Sequence, residues 1–106
     1  MNIKLSAAAL RCRVSAQELQ VLLSSRAIAL ELELPRNHHF RVDIKPSLVG
    51  GWKLDSDPTG LWLSIPHHEL ESLSRTLPSR KGLEHAFDLA SGGVVRVEFE
   101  VDVRER

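Results

Sequence analysis

The sequence predicts an α+β fold in which one ββαββ unit occurs twice. Apolar residues alternate with polar ones along most of the chain, which is the period of a half-buried strand. Two short stretches, near residues 15–25 and 66–76, have the helical period instead. The segments that begin at Leu10 and Leu61, 51 positions apart, also resemble each other. Strands, helices and the repeat together predict the fold class.

The alternating runs have one apolar and one polar face, as is typical of antiparallel sheets. They cover residues 10–14, 28–34, 40–45, 61–65, 83–89 and 94–103, and short strands near 2–5 and 52–55 precede each copy of the unit. In the last run the valines and Phe99 form the apolar face, and Arg96, Glu98, Glu100 and Asp102 the polar one. Turn residues such as Asp57-Pro58-Thr59-Gly60 separate the strands.

Each predicted helix has a start signal and an apolar stripe. Ser15 and Glu18 form a capping box, in which each side chain satisfies a backbone amide of the other residue. Pro66 opens the second helix, where its missing amide proton costs nothing, and Pro78 ends it. The stripes consist of Leu19, Leu22 and Leu23 in the first helix and Leu70, Leu73 and Leu77 in the second.

The repeat determines how the domain is expected to assemble. Four of sixteen aligned residues are identical between the segments from Leu10 and Leu61. About 50 residues of mostly sheet bury too little surface alone, so two copies must close on each other. We therefore expect one domain over 1–106, with pseudo-repeats at about 1–50 and 51–106. Its strands would form a strongly bent, antiparallel-rich sheet or a small barrel with two short helices. The alternative is an open antiparallel sheet with both helices on one side.

Composition limits the classes of function. The chain has 106 residues with 42% hydrophobic residues, enough for one core, and its 14 basic and 14 acidic residues give a net charge of zero. The basic excess typical of nucleic-acid or membrane-surface binding is therefore missing. The sequence has no apolar run long enough for a membrane-spanning helix. Because Cys12 is the only cysteine, no intrachain disulfide can form, and we expect a cytoplasmic protein.

The first fifth of the chain resembles a family of small bacterial proteins with a domain of unknown function. In that family a short M-K-I-R strand precedes the segment S-I-R-x-R-L-[ST]-x-x-E-[VL]. Here the opening M-N-I-K-L and L-R-C-R-V-S-A-Q-E-L carry the resemblance through Ile3, Leu10, Arg11, Arg13, Val14, Ser15, Glu18 and Leu19. Ala9 stands where the family has serine. The resemblance implies a bacterial, cytoplasmic protein and brings no activity or binding residues.

Histidine is the first residue type to consider for chemistry. The pairs His38-His39 and His67-His68 and the single His85 are spread along the chain. A metal site needs three or four converging ligands, and adjacent histidines point in different directions. We therefore expect no metal and no cofactor. His85 shares the apolar phase of its strand, which favours a core residue with one satisfied hydrogen bond over a general base.

Alternating carboxylates suggest one enzymatic alternative. Glu98, Glu100 and Asp102 would be spaced about 6.5 to 7 Å apart along one strand face. Carboxylates in this spacing bind divalent cations, and arginines bind phosphate. The alternative is thus a small divalent-metal- or phosphate-dependent enzyme that uses Glu98, Glu100 and Arg13, with His85 as base. Against it, the apolar strand faces should fill the interior, which leaves these carboxylates outside, opposite Arg11 and Arg13.

The leading hypothesis is a non-catalytic domain that associates with itself or with a partner protein. The final strand is long and apolar enough to pair across a sheet edge. Trp52 and Trp62 are the candidate partner contacts, because Trp62 falls on the polar side of its strand. We expect neither nucleic acid nor a membrane as the partner.

Overall fold

A computed structural model describes residues 1–78 and 81–102. The fold is α+β, as the sequence predicts. Val103, the last apolar position of the predicted final strand, lies outside the described residues. The elements follow in chain order: β1 (Asn2–Leu5), β2 (Ala9–Val14), α1 (Ala16–Leu23), β3 (Ile28–Leu34), β4 (His38–Ser47), β5 (Lys53–Asp57), β6 (Gly60–Pro66), α2 (His67–Arg75), β7 (Leu83–Asp88) and β8 (Val94–Val101).

The helices begin where the sequence signals predict. The Ser15 hydroxyl accepts a hydrogen bond from the Glu18 amide at 3.1 Å, and the Glu18 carboxylate accepts one from the Ser15 amide at 2.9 Å. This confirms the capping box at the start of α1. α2 follows directly on Pro66 and has no side-chain cap. Leu19 and Leu22 of α1 and Leu70 and Leu73 of α2 are buried.

The strands form two four-stranded sheets. Sheet A has the order β1-β2-β8-β7, and sheet B has the order β3-β4-β6-β5. The outer pairings are antiparallel, whereas the central pairs β2-β8 and β4-β6 are parallel. The expectation of one bent sheet or a small barrel is thus corrected to two open mixed sheets.

The two halves of the chain exchange hairpins between the sheets. Sheet A joins the β1-β2 hairpin of the first half to the β7-β8 hairpin of the second, and sheet B joins the other two. The register is the same in both: Cys12 pairs with Phe99 in sheet A, and Leu63 pairs with Ile44 in sheet B. Neither half contains a complete sheet, so each requires the other, as the repeat predicts.

One hydrophobic core connects both sheets and both helices. Its fully buried members include Cys12, Val97 and Phe99 from sheet A, Ile44, Leu63 and Ile65 from sheet B, and Leu19, Leu22 and Leu70 from the helices. The alternating residues of β2, β6 and β8 therefore face this core, and the polar alternates form the outer face of each sheet. Within the described residues, no helix is long and apolar enough to cross a membrane.

The interior position of β8 corrects one sequence-based argument. The sequence predicts that the final strand pairs across a free edge. It instead lies between β2 and β7, with partners on both sides. The edge strands are β1 and β7 in sheet A and β3 and β5 in sheet B.

Candidate functional site

The most exposed apolar strand face belongs to β3. This strand lies at the edge of sheet B and pairs along its whole length with β4, from Ile28 opposite Ile44 to Leu34 opposite His38. Ile28 is buried, but Leu30, Leu32 and Leu34 on the same face are 38%, 57% and 38% exposed. The other face has Glu31 and Glu33. We call these five residues, Leu30 to Leu34, the β3 surface.

The related strand in the second half shows what is missing over β3. In the shared register His85 corresponds to Leu30, and Phe87 corresponds to Leu32. The His85 ring stacks on Trp52, with ring centroids 5.2 Å apart and planes 8° from parallel. It also makes an edge contact with Phe87 at 4.7 Å. Trp52 thus covers His85 on the apolar face of β7.

Trp52 is held in place by the helix of its own half. Its indole Nε1 donates hydrogen bonds to both carboxylate oxygens of Glu69, each at 3.2 Å. In the first half the corresponding contact joins the amino group of Met1 to Glu18 at 3.1 Å. Methionine has no ring to stack on a neighbouring strand. The leucines of β3 therefore stay exposed where His85 and Phe87 are covered.

The charges on the β3 surface are acidic. Glu31 contacts Nδ1 of His39 at 3.2 Å, and both side chains are about half exposed. Glu33 has no ion pair with any residue in the described part of the chain. An incoming strand would therefore meet two carboxylates on one face and three leucines on the other.

The residues of the enzymatic alternative are not brought together. On the outer face of sheet A, Arg11 contacts Glu98 at 2.9 Å and Arg13 contacts Glu100 at 3.1 Å. These pairs confirm the predicted cross-strand matches, although the strands run parallel. The hydrogen bond from Arg11 to Glu98 raises the pKa of Arg11. His85 lies on the opposite face of the same sheet, against Trp52.

The carboxylates and histidines form no metal cluster among the described residues. The arginine contacts neutralise Glu98 and Glu100, and Nε2 of His67 lies 2.9 Å from the backbone carbonyl of Leu23. The only cysteine, Cys12, is buried in the core, and desolvation raises the pKa of its thiol to about 12. A thiol in this environment is a poor nucleophile.

The two tryptophans differ in their surroundings. Trp52 is half-buried, and its contacts with His85 and Glu69 occupy one ring face and the indole nitrogen. Trp62 is half-buried on the outer face of sheet B, in register with Asp43 of β4 and Asp55 of β5. Its position on the polar face agrees with the alternation of its strand.

The sequence predicts that the leucines of β3 face the interior, because their alternation matches that of the buried strands. What distinguishes them is the difference in residue type between corresponding positions of the two related hairpins. Leu30 and Leu32 stand where the second half has an imidazole and a phenyl ring, and Met1 stands where it has an indole. Comparison of the chain with protein-family models, curated proteins and solved structures finds no match.

Proposed function

We propose that this protein is a non-catalytic binding domain that captures an extended segment of a partner protein on the free edge of β3. The observation that carries the proposal is the uncovered apolar face of an edge strand, whose counterpart in the second half is covered by Trp52. Edge strands present unpaired backbone amides and carbonyls, which form a template for an added strand. Strand addition is a common mode of peptide recognition.

The two faces of β3 determine the chemistry of the segment. Alternate side chains of an added strand would lie beside Leu30, Leu32 and Leu34 on one face and beside Glu31 and Glu33 on the other. Apolar residues on the first face and lysine or arginine on the second are complementary to this surface. Cross-strand pairs of these kinds each stabilise a sheet by about 0.2 to 1 kcal/mol.

The glutamates disfavour a second copy of β3 as the added strand. If two β3 strands paired antiparallel, Glu31 and Glu33 of one would lie on the same face as those of the other. Like charges directly opposite each other destabilise a sheet. The charge pattern therefore favours a basic partner of different sequence over self-association.

Reducing conditions suit the lone thiol of Cys12, which supports a cytoplasmic location.

A labelled peptide of alternating lysine and valine tests the proposal, with a peptide of alternating glutamate and valine as the charge control. We expect saturable binding of the lysine peptide by fluorescence anisotropy and shifts of the β3 amides in the amide-proton spectrum. Leu32→Ser should weaken binding about tenfold, because it removes one apolar contact and breaks the continuous face. The matched variant is Leu89→Ser, at a second exposed leucine, 45% accessible, just after β7.

Three results would overturn the proposal. The first is equal binding of the acidic peptide, and the second is equal weakening by Leu32→Ser and Leu89→Ser. The third is a dimer, detected by sedimentation, that the Leu32→Ser substitution converts to monomers. A second copy of the chain would then be the natural occupant of β3. Amide-proton spectra of both variants establish that each remains folded.

A further inference from the structure

A cavity of about 410 Å³ opens on the outer face of sheet B, and no residue of the β3 surface is in its lining. The segment that connects β4 to β5 borders it on one side, and strands β4, β6 and β5 form its floor. Its lining includes Lys45, Gly50, Gly51, Trp52, Lys53 and Ser64. The cavity thus brings together two cationic side chains, a hydroxyl and two glycines.

The three polar residues form one row across the sheet. Ser64 of β6 pairs with Lys45 of β4 on one side and with Lys53 of β5 on the other. Neighbouring strands are about 4.8 Å apart, so the lysine Cα atoms are separated by roughly 10 Å with the serine between them. Ser64 is 8% exposed, and it is the one polar residue in the buried set of the described chain. Both lysines are exposed.

The positive charge of this row is not compensated by ion pairs. Neither Lys45 nor Lys53 makes an ion pair with a residue that the structure describes. Asp43, two positions before Lys45, is engaged by Arg41 at 2.6 Å. Asp55 lies two positions beyond Lys53 and is in register with Trp62, one step along the sheet from the row.

The same row in sheet A has the opposite character. By the shared register, Asn2 corresponds to Lys53, Arg13 to Ser64, and Glu100 to Lys45. Arg13 and Glu100 neutralise each other at 3.1 Å. The repeat therefore supplies an internal comparison, in which one copy of the row is a closed ion pair and the other has two unpaired cations.

The connecting segment borders the cavity with an unobstructed backbone at two glycines. The hydroxyl of Ser47 donates to the carbonyl of Val49 at 2.7 Å, which holds the start of the segment. Gly50 has a φ of 92°, a conformation that other residues rarely adopt, and a Cβ at Gly50 or Gly51 would meet nothing within 4 Å. These glycines leave the backbone open to a ligand.

From this arrangement we infer that the cavity binds the phosphate group of a small phosphorylated compound. The ammonium groups of Lys45 and Lys53 contact the phosphate oxygens from two sides, and the Ser64 hydroxyl donates from below. Hydrogen bonds between charged groups and phosphate are about twice as strong as neutral ones.

Amide-proton titrations at constant ionic strength test the inference with inorganic phosphate, glucose 6-phosphate, sulfate and glucose. We expect saturable shifts of the Gly50, Gly51 and Ser64 amides with both phosphate compounds, and none with glucose. Comparable affinity for sulfate would show a general anion site and would overturn the assignment to phosphate.

Variants separate this site from general charge effects. The double change Lys45→Gln with Lys53→Gln should weaken phosphate binding at least about tenfold, since it removes both charge-assisted contacts. Lys4→Gln removes an exposed lysine from the outer face of sheet A and should leave the affinity unchanged. Equal losses in the two proteins, or shifts spread over the whole surface, would overturn the inference. The β3 surface is intact in all of these variants, so this result is independent of peptide capture.

Discussion

The indole of Trp52 stacks on the imidazole of His85 and thereby links the edges of the two sheets. Trp52 directly precedes β5 at the edge of sheet B, and His85 lies in β7 at the edge of sheet A. Their counterparts in the first half are Met1 and Leu30, and Leu30 remains 38% exposed. One side of the molecule is therefore closed by aromatic rings, and the related side leaves the β3 surface open.

Replacing Trp52 with leucine should lower the free energy of unfolding by about 2 kcal/mol, less than a fully buried tryptophan would cost. The substitution removes the stack on His85 and the hydrogen bonds to Glu69. Chemical denaturation measures the change. Trp62→Leu is the matched control, because Trp62 is also half-buried but makes no ring stack within the described residues. A loss for Trp62→Leu as large as that for Trp52→Leu would contradict this account of the stack.

The local elements follow from the sequence because their causes are local. The Ser15 and Glu18 capping box starts α1, and alternation identifies the buried faces of β2, β6 and β8. The pairing of Arg11 with Glu98 also follows, since both lie on the polar face of long neighbouring strands. Each of these features depends on residues a few positions apart or on a simple match of charge.

The exchange of hairpins between sheets has no local signal. A β1-β2 hairpin presents the same apolar face whether its neighbour is β4 of its own half or β8 of the other half. Only the packing of the two halves around Phe99, Ile44 and the helices selects the second arrangement. For this reason the repeat predicts mutual dependence of the halves, but not two separate sheets.

The exposure of the β3 surface cannot be predicted from the sequence for a related reason. The run from Ile28 to Leu34 has the same period as the buried strands, and a period identifies a face without indicating what covers it. Coverage of β7 comes from Trp52, which is distant in sequence from His85. The row formed by Lys45, Ser64 and Lys53 likewise exists only through the register of three strands.

Gly60 should be intolerant of a side chain. A Cβ at this position would collide with the backbone carbonyl of Arg41 across the parallel β4-β6 pair. Because the obstacle is backbone, Gly60→Ala should lower the free energy of unfolding by about 1 to 3 kcal/mol, the usual cost of overpacking. Gly93→Ala is the control, since a Cβ there meets nothing within 4 Å. Thermal or urea unfolding compares the two; similar stabilities would show that the β4-β6 pair adjusts without cost.

Cys12 should make the protein sensitive to alkaline pH. Burial raises the pKa of its thiol to about 12 in the folded chain, whereas an unfolded thiol ionises near about 8.5. The protonated thiol therefore contributes its full stability below the unfolded pKa, and this contribution is lost as the pH rises toward the folded value. At pH 10 the loss should be about 2 kcal/mol. The Cys12→Ala variant has no thiol at this position, so its stability should not show this loss.

The measurement is urea unfolding of both proteins between pH 7 and pH 10 in the presence of a reductant. Cys12→Ala should be the less stable protein at pH 7, because it leaves a small cavity beside Phe99 and Val97 in the core. The difference in unfolding free energy should narrow steadily above about pH 8.5, where only the wild-type unfolded chain gains from ionising this thiol. A difference that stays constant up to pH 10 would mean that the folded core accommodates the thiolate of Cys12.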